Sequence, residues 1–188
     1  MSYRPFVPGI TVSGVTVRVF VETLRSFPVL REAILEVLGD TDVREDVWYS
    51  QESVLRAYMK ADHLLGGRGL ERFGRTIPGL ASLPPTITSA HEALGSLDAV
   101  FHFYHARDGV QMMDPATGAF AEGIGHYHYE RVGPREGRMV CDNAYPCRLD
   151  LGLCHGFAAR FEPTTVSVHE PGECRDRGDA ACAYQVRW

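Results

Sequence analysis

The stretch best equipped for chemistry is Cys174-Arg175-Asp176-Arg177-Gly178-Asp179-Ala180-Ala181-Cys182. Two cysteines eight positions apart across a glycine-containing loop converge when the loop reverses direction. Thiolates bind zinc strongly once the metal stabilises the deprotonated sulfur. Cys141 and Cys147 upstream, with His169 and Glu170 just before the loop, offer further ligands to complete a tetrahedron. Zinc is the expected ion, and ligation by sulfur alone would suit an iron–sulfur cluster instead. Taken singly, each cysteine is explained as well by burial as a small apolar side chain. As a group around a charged loop they point to a metal.

A second constellation combines imidazoles and phenols: Phe101-His102-Phe103-Tyr104-His105 and Gly123-Ile124-Gly125-His126-Tyr127-His128-Tyr129. Read as strands, alternate residues share a face, so His102 goes with Tyr104 and His126 with His128, while Tyr127 goes with Tyr129. If such strands pair, His102, Tyr104, His126, Tyr127 and His128 line a pocket for an aromatic, phenolic or tetrapyrrole ligand. The plainer alternative is that these are ordinary residues of half-buried strands. Gly123 and Gly125 favour the pocket, because glycine in a strand marks a bulge or a close backbone approach.

The elements that must position these residues divide into a helical half and a sheet half. Val17, Phe20, Val21 and Leu24 fit one helical face, although the β-branching of residues 15–19 suits a strand too. Pro28 to Leu38 reads as an amphipathic helix closed by Gly39, and Ser50 as the N-cap of a helix burying Val54, Leu55, Tyr58, Ala61 and Leu65. Short helices follow over 70–77 and around Ile87 to Leu94. From residue 98 strands are expected over 99–106, 110–113, 120–131 and 138–142, then a helix over 149–161 and strands over 165–170 and 181–188. The fold class is therefore α/β in the α+β sense: a helical N-terminal half (10–95) packed on an antiparallel sheet, with a C-terminal helix–strand–strand metal segment within 96–188. One domain is expected over 1–188.

The C-terminal pattern resembles the vinyl-reductase-type small-molecule sensor domain: a helix carrying Gly156-Phe157-Ala158, a strand, an acidic residue, Cys, a loop with Gly, Cys and a closing strand. The resemblance covers roughly residues 147–188. It implies a ligand set of three cysteines and one glutamate, matched by Cys147, Cys174, Cys182 and Glu170. The interval from Glu170 to Cys174 is one residue longer than in that family, which leaves His169 and Cys141 as alternatives for the fourth ligand. The middle of the chain is similar to the heme nitric-oxide/oxygen-binding domain of the same superfamily, which also includes Golgi transport-particle subunits. Phe73-Gly74-Arg75, His91 and Phe103-Tyr104-His105-Ala106-Arg107 follow that family's order of a Phe-Gly segment, a heme-ligating His and Tyr-x-Ser-x-Arg. Here the Tyr and Ser of the last motif are missing, so heme through His91 is the alternative and not the leading expectation.

Bulk properties narrow the function. The 188 residues carry 24 acidic and 19 basic side chains, net charge -5, with no basic stripe for nucleic acid. Residues 1–9 lack the apolar run of a signal peptide, and no window reads as a membrane span. A cytoplasmic protein is expected, its five cysteines free thiols or metal ligands. Nucleophile-elbow, phosphate-loop, dinucleotide and zinc-protease motifs are absent. These features point to a sensor for a small aromatic or hydrophobic ligand, with a homodimer or a separate output protein supplying the response. The enzymatic alternative is a metal-bound water with His126 or His155 as general acid/base.

Overall fold

Among the described residues, 3–80 and 83–188 of a computed structural model, seven α-helices and two antiparallel four-stranded sheets give a mixed α+β fold. Met1 and Ser2 of the N-terminal stretch lie outside the described residues. No described helix is long and apolar enough to cross a membrane.

The first sheet is built from short pieces: β1 (Ile10–Ser13), β2 (Trp48–Ser50), β3 (His105–Arg107) and β4 (Val110–Gln111), in the order β2-β1-β3-β4. Strands of two to four residues carry too little alternation to be read from sequence, and β1 and β2 are absent from the expected elements. Ser13 ends β1 and caps α1 (Gly14–Thr23), its Oγ accepting from the Val15 N–H at 3.3 Å. Residues 15–19 are thus helical. Burial of Val17, Phe20 and Val21 outweighs the β-branching of Val15, Thr16, Val17 and Val19. Then come α2 (Pro28–Leu38), with proline in its first turn and Gly39 as its C-cap, α3 (Gln51–Leu65) and α4 (Gly67–Leu80). Ser89 caps α5 (Ala90–Gly95), its Oγ accepting from the Glu92 N–H at 3.2 Å.

The strand expected over 99–106 is instead α6 (Leu97–Phe103) followed by β3. The aromatic run has high strand propensity, but as a helix it buries Leu97 and Phe101 together and brings His102 within 3.4 Å of Asp98, one turn earlier. The face-sharing deduced for a strand at 101–105 therefore does not hold.

The second sheet contains β5 (Tyr127–Gly133), β6 (Glu136–Cys141), β7 (Val166–His169) and β8 (Cys182–Arg187), in the order β5-β6-β8-β7. Residues 120–126, expected to begin a strand, are irregular apart from one bridge between Met113 and Phe120. In β6 and β8 Gly137 faces Val186, Met139 faces Tyr184 and Cys141 faces Cys182, and all six are buried. That register sends one face of both strands inward, against α7 (Cys147–Ala159).

Helix α7 is buried on almost every side, from Cys147 through Ala158, as expected of an apolar helix with weak amphipathicity. It crosses α4 at backbone contact. A Cβ on Gly152 would lie 2.1 Å from the Glu71 carbonyl oxygen, and one on Gly74 2.3 Å from that of Leu149. Only glycine permits this approach, which draws Ile77 of α4 and Leu149, Leu153 and Phe157 of α7 around one cavity.

Candidate functional site

The cavity has a volume of about 160 Å³. Its wall is assembled from α1 (Val15, Thr16, Val19), α6 (Leu97, Val100, Phe101) with its C-cap Tyr104, and α7 (Leu149, Leu153, Phe157). No Arg, Lys, Asp or Glu lines it among the described residues. Its polar groups are four phenols, Tyr58, Tyr104, Tyr127 and Tyr145, the Thr16 hydroxyl and one imidazole, His105. Burial holds the Tyr58, Tyr127 and Tyr145 hydroxyls well above their ordinary pKa, so they remain protonated.

Both ring nitrogens of His105 are committed. Nδ1–H donates to the Phe101 carbonyl at 2.6 Å, which leaves Nε2 to accept the Tyr145 O–H at 2.7 Å. Burial drives the imidazole pKa down to about 4, against the pull of the Phe101 carbonyl. The group stays neutral in the fold while its unfolded counterpart protonates near 6.5. Between those values the unfolded chain binds more protons, so stability falls as pH falls. His105→Gln, which keeps a polar side chain and removes the titration, is expected to destabilise the protein at pH 7. That deficit should shrink by about 3 kcal/mol by pH 4. Urea unfolding of both proteins across this range checks it, and a deficit independent of pH would refute the assignment.

Of the expected pocket residues, Tyr104 and Tyr127 line the cavity, whereas His102, His126 and His128 do not. His102 is fully buried on α6 and His126 precedes β5; the two rings stand 4.8 Å apart, near Asp98. His128 is exposed, its Nε2 3.3 Å from Asp142 Oδ2. Sequence reasoning misses His105 and Tyr145. On a strand His105 would face away from His102 and Tyr104, and Tyr145 sits in the connection before α7 with no periodicity to mark it.

The cysteine constellation does converge. Cys147, at the first turn of α7, Cys174, before the 3-10 turn Arg175–Arg177, and Cys182, at the start of β8, bring their sulfurs within 4.8 Å of one another. The Sγ–Sγ separations are 2.9 Å for Cys147–Cys182, 3.9 Å for Cys147–Cys174 and 4.0 Å for Cys174–Cys182. Tetrahedral zinc with bonds of about 2.3 Å sets sulfurs about 3.8 Å apart. Two of the three separations match, and the third needs only to open. A hydrogen bond from Cys147, joined by the Arg175 N–H at 3.2 Å, holds the Cys182 thiol well below the usual range. The same bond, together with burial, pushes Cys147 up.

The three candidates for a fourth ligand fare differently. The Glu170 carboxylate is taken by Arg138, with Nε 3.0 and 3.1 Å from its two oxygens and Nη2 3.0 Å from one. Cys141 is buried and hydrogen-bonded to Cys154, outside the cluster. His169 donates Nδ1–H to the Glu170 carbonyl at 2.6 Å, so Nε2 carries the lone pair; that nitrogen is buried without a partner, on a ring that reaches Cys182. It lies outside the 4.8 Å triad. His126 and His155 do not belong to the thiolate cluster either, and His155 Nε2 is 3.2 Å from Arg75.

A buried polar chain joins cluster and cavity. Tyr127 O–H donates to Asp150 Oδ1 at 2.5 Å, and Asp150 Oδ2 accepts from Arg175, the residue after Cys174. Arg175 also donates to the Asn143 carbonyl and, at 2.6 Å, to Asn143 Oδ1. Burial raises the Asp150 pKa to about 6, with Arg175 and Tyr127 pulling against it.

The histidine matched to a heme ligand lies elsewhere. His91 donates Nε2–H to the Pro134 carbonyl at 3.0 Å, uses Nδ1 with the Tyr129 hydroxyl and packs edge-on against Trp188. It does not line the cavity.

No family model and no curated protein matches the sequence. Solved structures do. An H-NOX protein from S. oneidensis in the Fe(II)NO ligation state is 12% identical over 93% of this chain and 98% of its own, with a TM-score of 0.66. A mutant of T. tengcongensis H-NOX is 18% identical over 93% and 96%, TM-score 0.63. An oxygen-binding H-NOX domain related to soluble guanylate cyclases, in its oxygen complex, is 17% identical over 93% and 94%, TM-score 0.61. The chain therefore has the H-NOX type of fold along nearly its whole length.

Proposed function

We propose that this chain is a small-molecule sensor domain whose apolar cavity takes a single-ring aromatic or comparably small hydrophobic ligand, and whose C-terminal strands are anchored by zinc. The observation that carries the reading is the uncharged cavity of about 160 Å³ inside a fold shared with H-NOX proteins. A dry apolar cavity of about 150 Å³ is large enough for benzene. The tyrosines around it offer hydrogen bonds to a phenolic hydroxyl.

Zinc fits the donor chemistry of Cys147, Cys174 and Cys182, with His169 Nε2 as the fourth ligand in preference to Glu170 or Cys141. Three cysteines and a histidine are a common closed structural site, and they fall short of the four thiolates of an iron–sulfur cluster. A closed site also argues against a metal-bound water and so against an enzyme. Five free cysteines accord with a reducing compartment such as the cytoplasm, where a homodimer or a separate output protein would read the ligand-induced change.

Heme is the second reading, favoured by the H-NOX fold neighbours, one of which is an Fe(II)NO form. The residues of this chain fit it poorly. Among the described residues no cation lines the cavity to meet propionates, its one imidazole has both nitrogens engaged, and His91 points elsewhere.

Thermal unfolding with phenol and toluene tests the choice. A saturable rise in Tm is expected, equivalent to about 2.7 kcal/mol at a hundredfold excess over Kd. Leu153→Trp, which fills the cavity, should abolish the rise while leaving the protein folded. A Soret band on adding hemin, with no response to either aromatic, would replace this reading by heme.

A further inference from the structure

The histidines that the cavity leaves out form a cluster of their own. We propose that Asp98, His102 and His126 make a second cation site, separate from the cysteines, for a divalent first-row transition metal ion.

Asp98 and His102 stand one turn apart on α6. His126 is delivered by Gly125, whose φ of +76° suits glycine, and where a Cβ would lie 2.4 Å from the Asp142 carbonyl oxygen. The backbone there is pinned by carboxylates: the His126 N–H donates to Asp142 Oδ1 at 2.5 Å and the Tyr127 N–H to Asp98 Oδ1 at 2.9 Å. His126 Nδ1 then sits 3.0 Å from Asp98 Oδ2, and His102 Nδ1 3.4 Å from Asp98 Oδ1. One donor atom from each of the three falls within 4.8 Å of the others. Tetrahedral zinc on nitrogen and oxygen sets its donors about 3.4 Å apart, so the three groups must draw in from within 4.8 Å to close the site.

Two further features go beyond an ordinary ion pair. Glu122 Oε2 is 3.1 Å from His126 Nε2, on the ring edge opposite Asp98. By accepting Nε2–H it leaves Nδ1 as the lone pair facing the site, the carboxylate–histidine arrangement that orients metal-bound imidazoles. His102 is 0% exposed, stacked 4.6 Å from Phe120; because Nδ1–H is on the Asp98 carbonyl at 2.9 Å, its lone pair for an ion is on Nε2, which lacks any partner. A histidine buried only for packing would carry that unmet nitrogen at a cost. The Asp98 and His126 side chains keep 19% and 18% exposure, so an ion can enter from solvent.

Two imidazoles and one carboxylate select a transition ion over calcium or magnesium, which prefer all-oxygen shells. Three protein ligands also leave a position open for water or another small ligand.

Cobalt(II) titration of the full chain, loaded beforehand with a single equivalent of zinc, which the thiolates take first, tests this. A further equivalent of cobalt should bind with visible d–d absorption and no near-ultraviolet thiolate charge-transfer band. His126→Gln and Asp98→Asn, both at partly exposed positions, should weaken that uptake at least about tenfold, and Glu122→Gln should weaken it less. Circular dichroism and the thiolate-site cobalt spectrum of each variant establish that the fold and the other site are intact. Absence of a further equivalent up to millimolar cobalt, or uptake indifferent to His126→Gln and Asp98→Asn, would overturn the proposal.

Discussion

Arg175→Met is expected to destabilise the protein by about 3–5 kcal/mol at neutral pH. The Arg175 side chain is 8% exposed and that of its partner Asp150 0%, so removing the guanidinium strands a carboxylate where water does not reach. The loss should depend on pH in a defined sense. Asp150 already titrates near 6 in the fold, above its ordinary 3.8. Without Arg175 that value rises further. Above pH 6 the variant must then either hold a proton against solution or bury an unpaired charge, so its deficit grows with pH. Below pH 6 the carboxyl is protonated in both proteins and the deficit shrinks. Asp150→Asn combined with Arg175→Met should recover most of the loss, because neither charge remains and the amide oxygen still accepts from Tyr127. Urea unfolding of the single and double variants at pH 5 and pH 8 decides the matter. A single-variant cost under about 1 kcal/mol would mean that the pair contributes nothing net.

This ion pair matters to the sensor reading because of what it touches. Tyr127 forms part of the cavity wall and holds Asp150, while Arg175 follows Cys174 and donates its N–H to Cys182. A change in the cavity can therefore reach the cysteine loop through three side chains. The sequence carries a signal for it that periodicity alone does not weigh: Asp150 is the only charged residue in Leu149-Asp150-Leu151-Gly152-Leu153-Cys154. An acidic side chain inside an otherwise apolar helix needs a buried partner.

Other features are legible for specific reasons. Helices α2 and α3 have long apolar stripes with proline, serine and glycine at their ends, and the structure follows their bounds closely, although Leu65 is exposed and Ser50 starts α3 without a side-chain cap bond. The convergence of Cys174 and Cys182 follows from a glycine loop between strands, which is local information. Helix α6 is not legible, since seven residues rich in Phe and His carry the composition of a strand and only their tertiary neighbours decide. That one element redirects the histidines. A strand would place His102 at the pocket and turn His105 away from it, whereas the helix does the opposite. Glu170 enters the ligand set through a resemblance in spacing, and Arg138, on strand β6 across the intervening β8, claims it through a sheet order that spacing cannot reveal.

Cys182→Ser should abolish zinc binding at the cysteine cluster and, with it, the dependence of stability on chelator. Cys182 is central to the cluster: it shares a proton with Cys147 across 2.9 Å, accepts the Arg175 N–H at 3.2 Å and lies beside His169. Because Cys147 is held protonated in the metal-free protein, zinc binding must release a proton and should tighten as pH rises. At a thousandfold excess of free zinc over Kd the bound ion adds about 4 kcal/mol, which for a chain of this size corresponds to a Tm shift of about 10 °C. Treating the unaltered protein with a chelator should lower Tm by that amount, while the serine variant should start from the lower value and not respond. Elemental analysis of both purified proteins supplies the independent measure, with zinc expected in one and a large deficit in the other. If the unaltered protein is purified without zinc and gains no stability when zinc is added, the three sulfurs are held together by burial and hydrogen bonding alone, and the anchoring role falls.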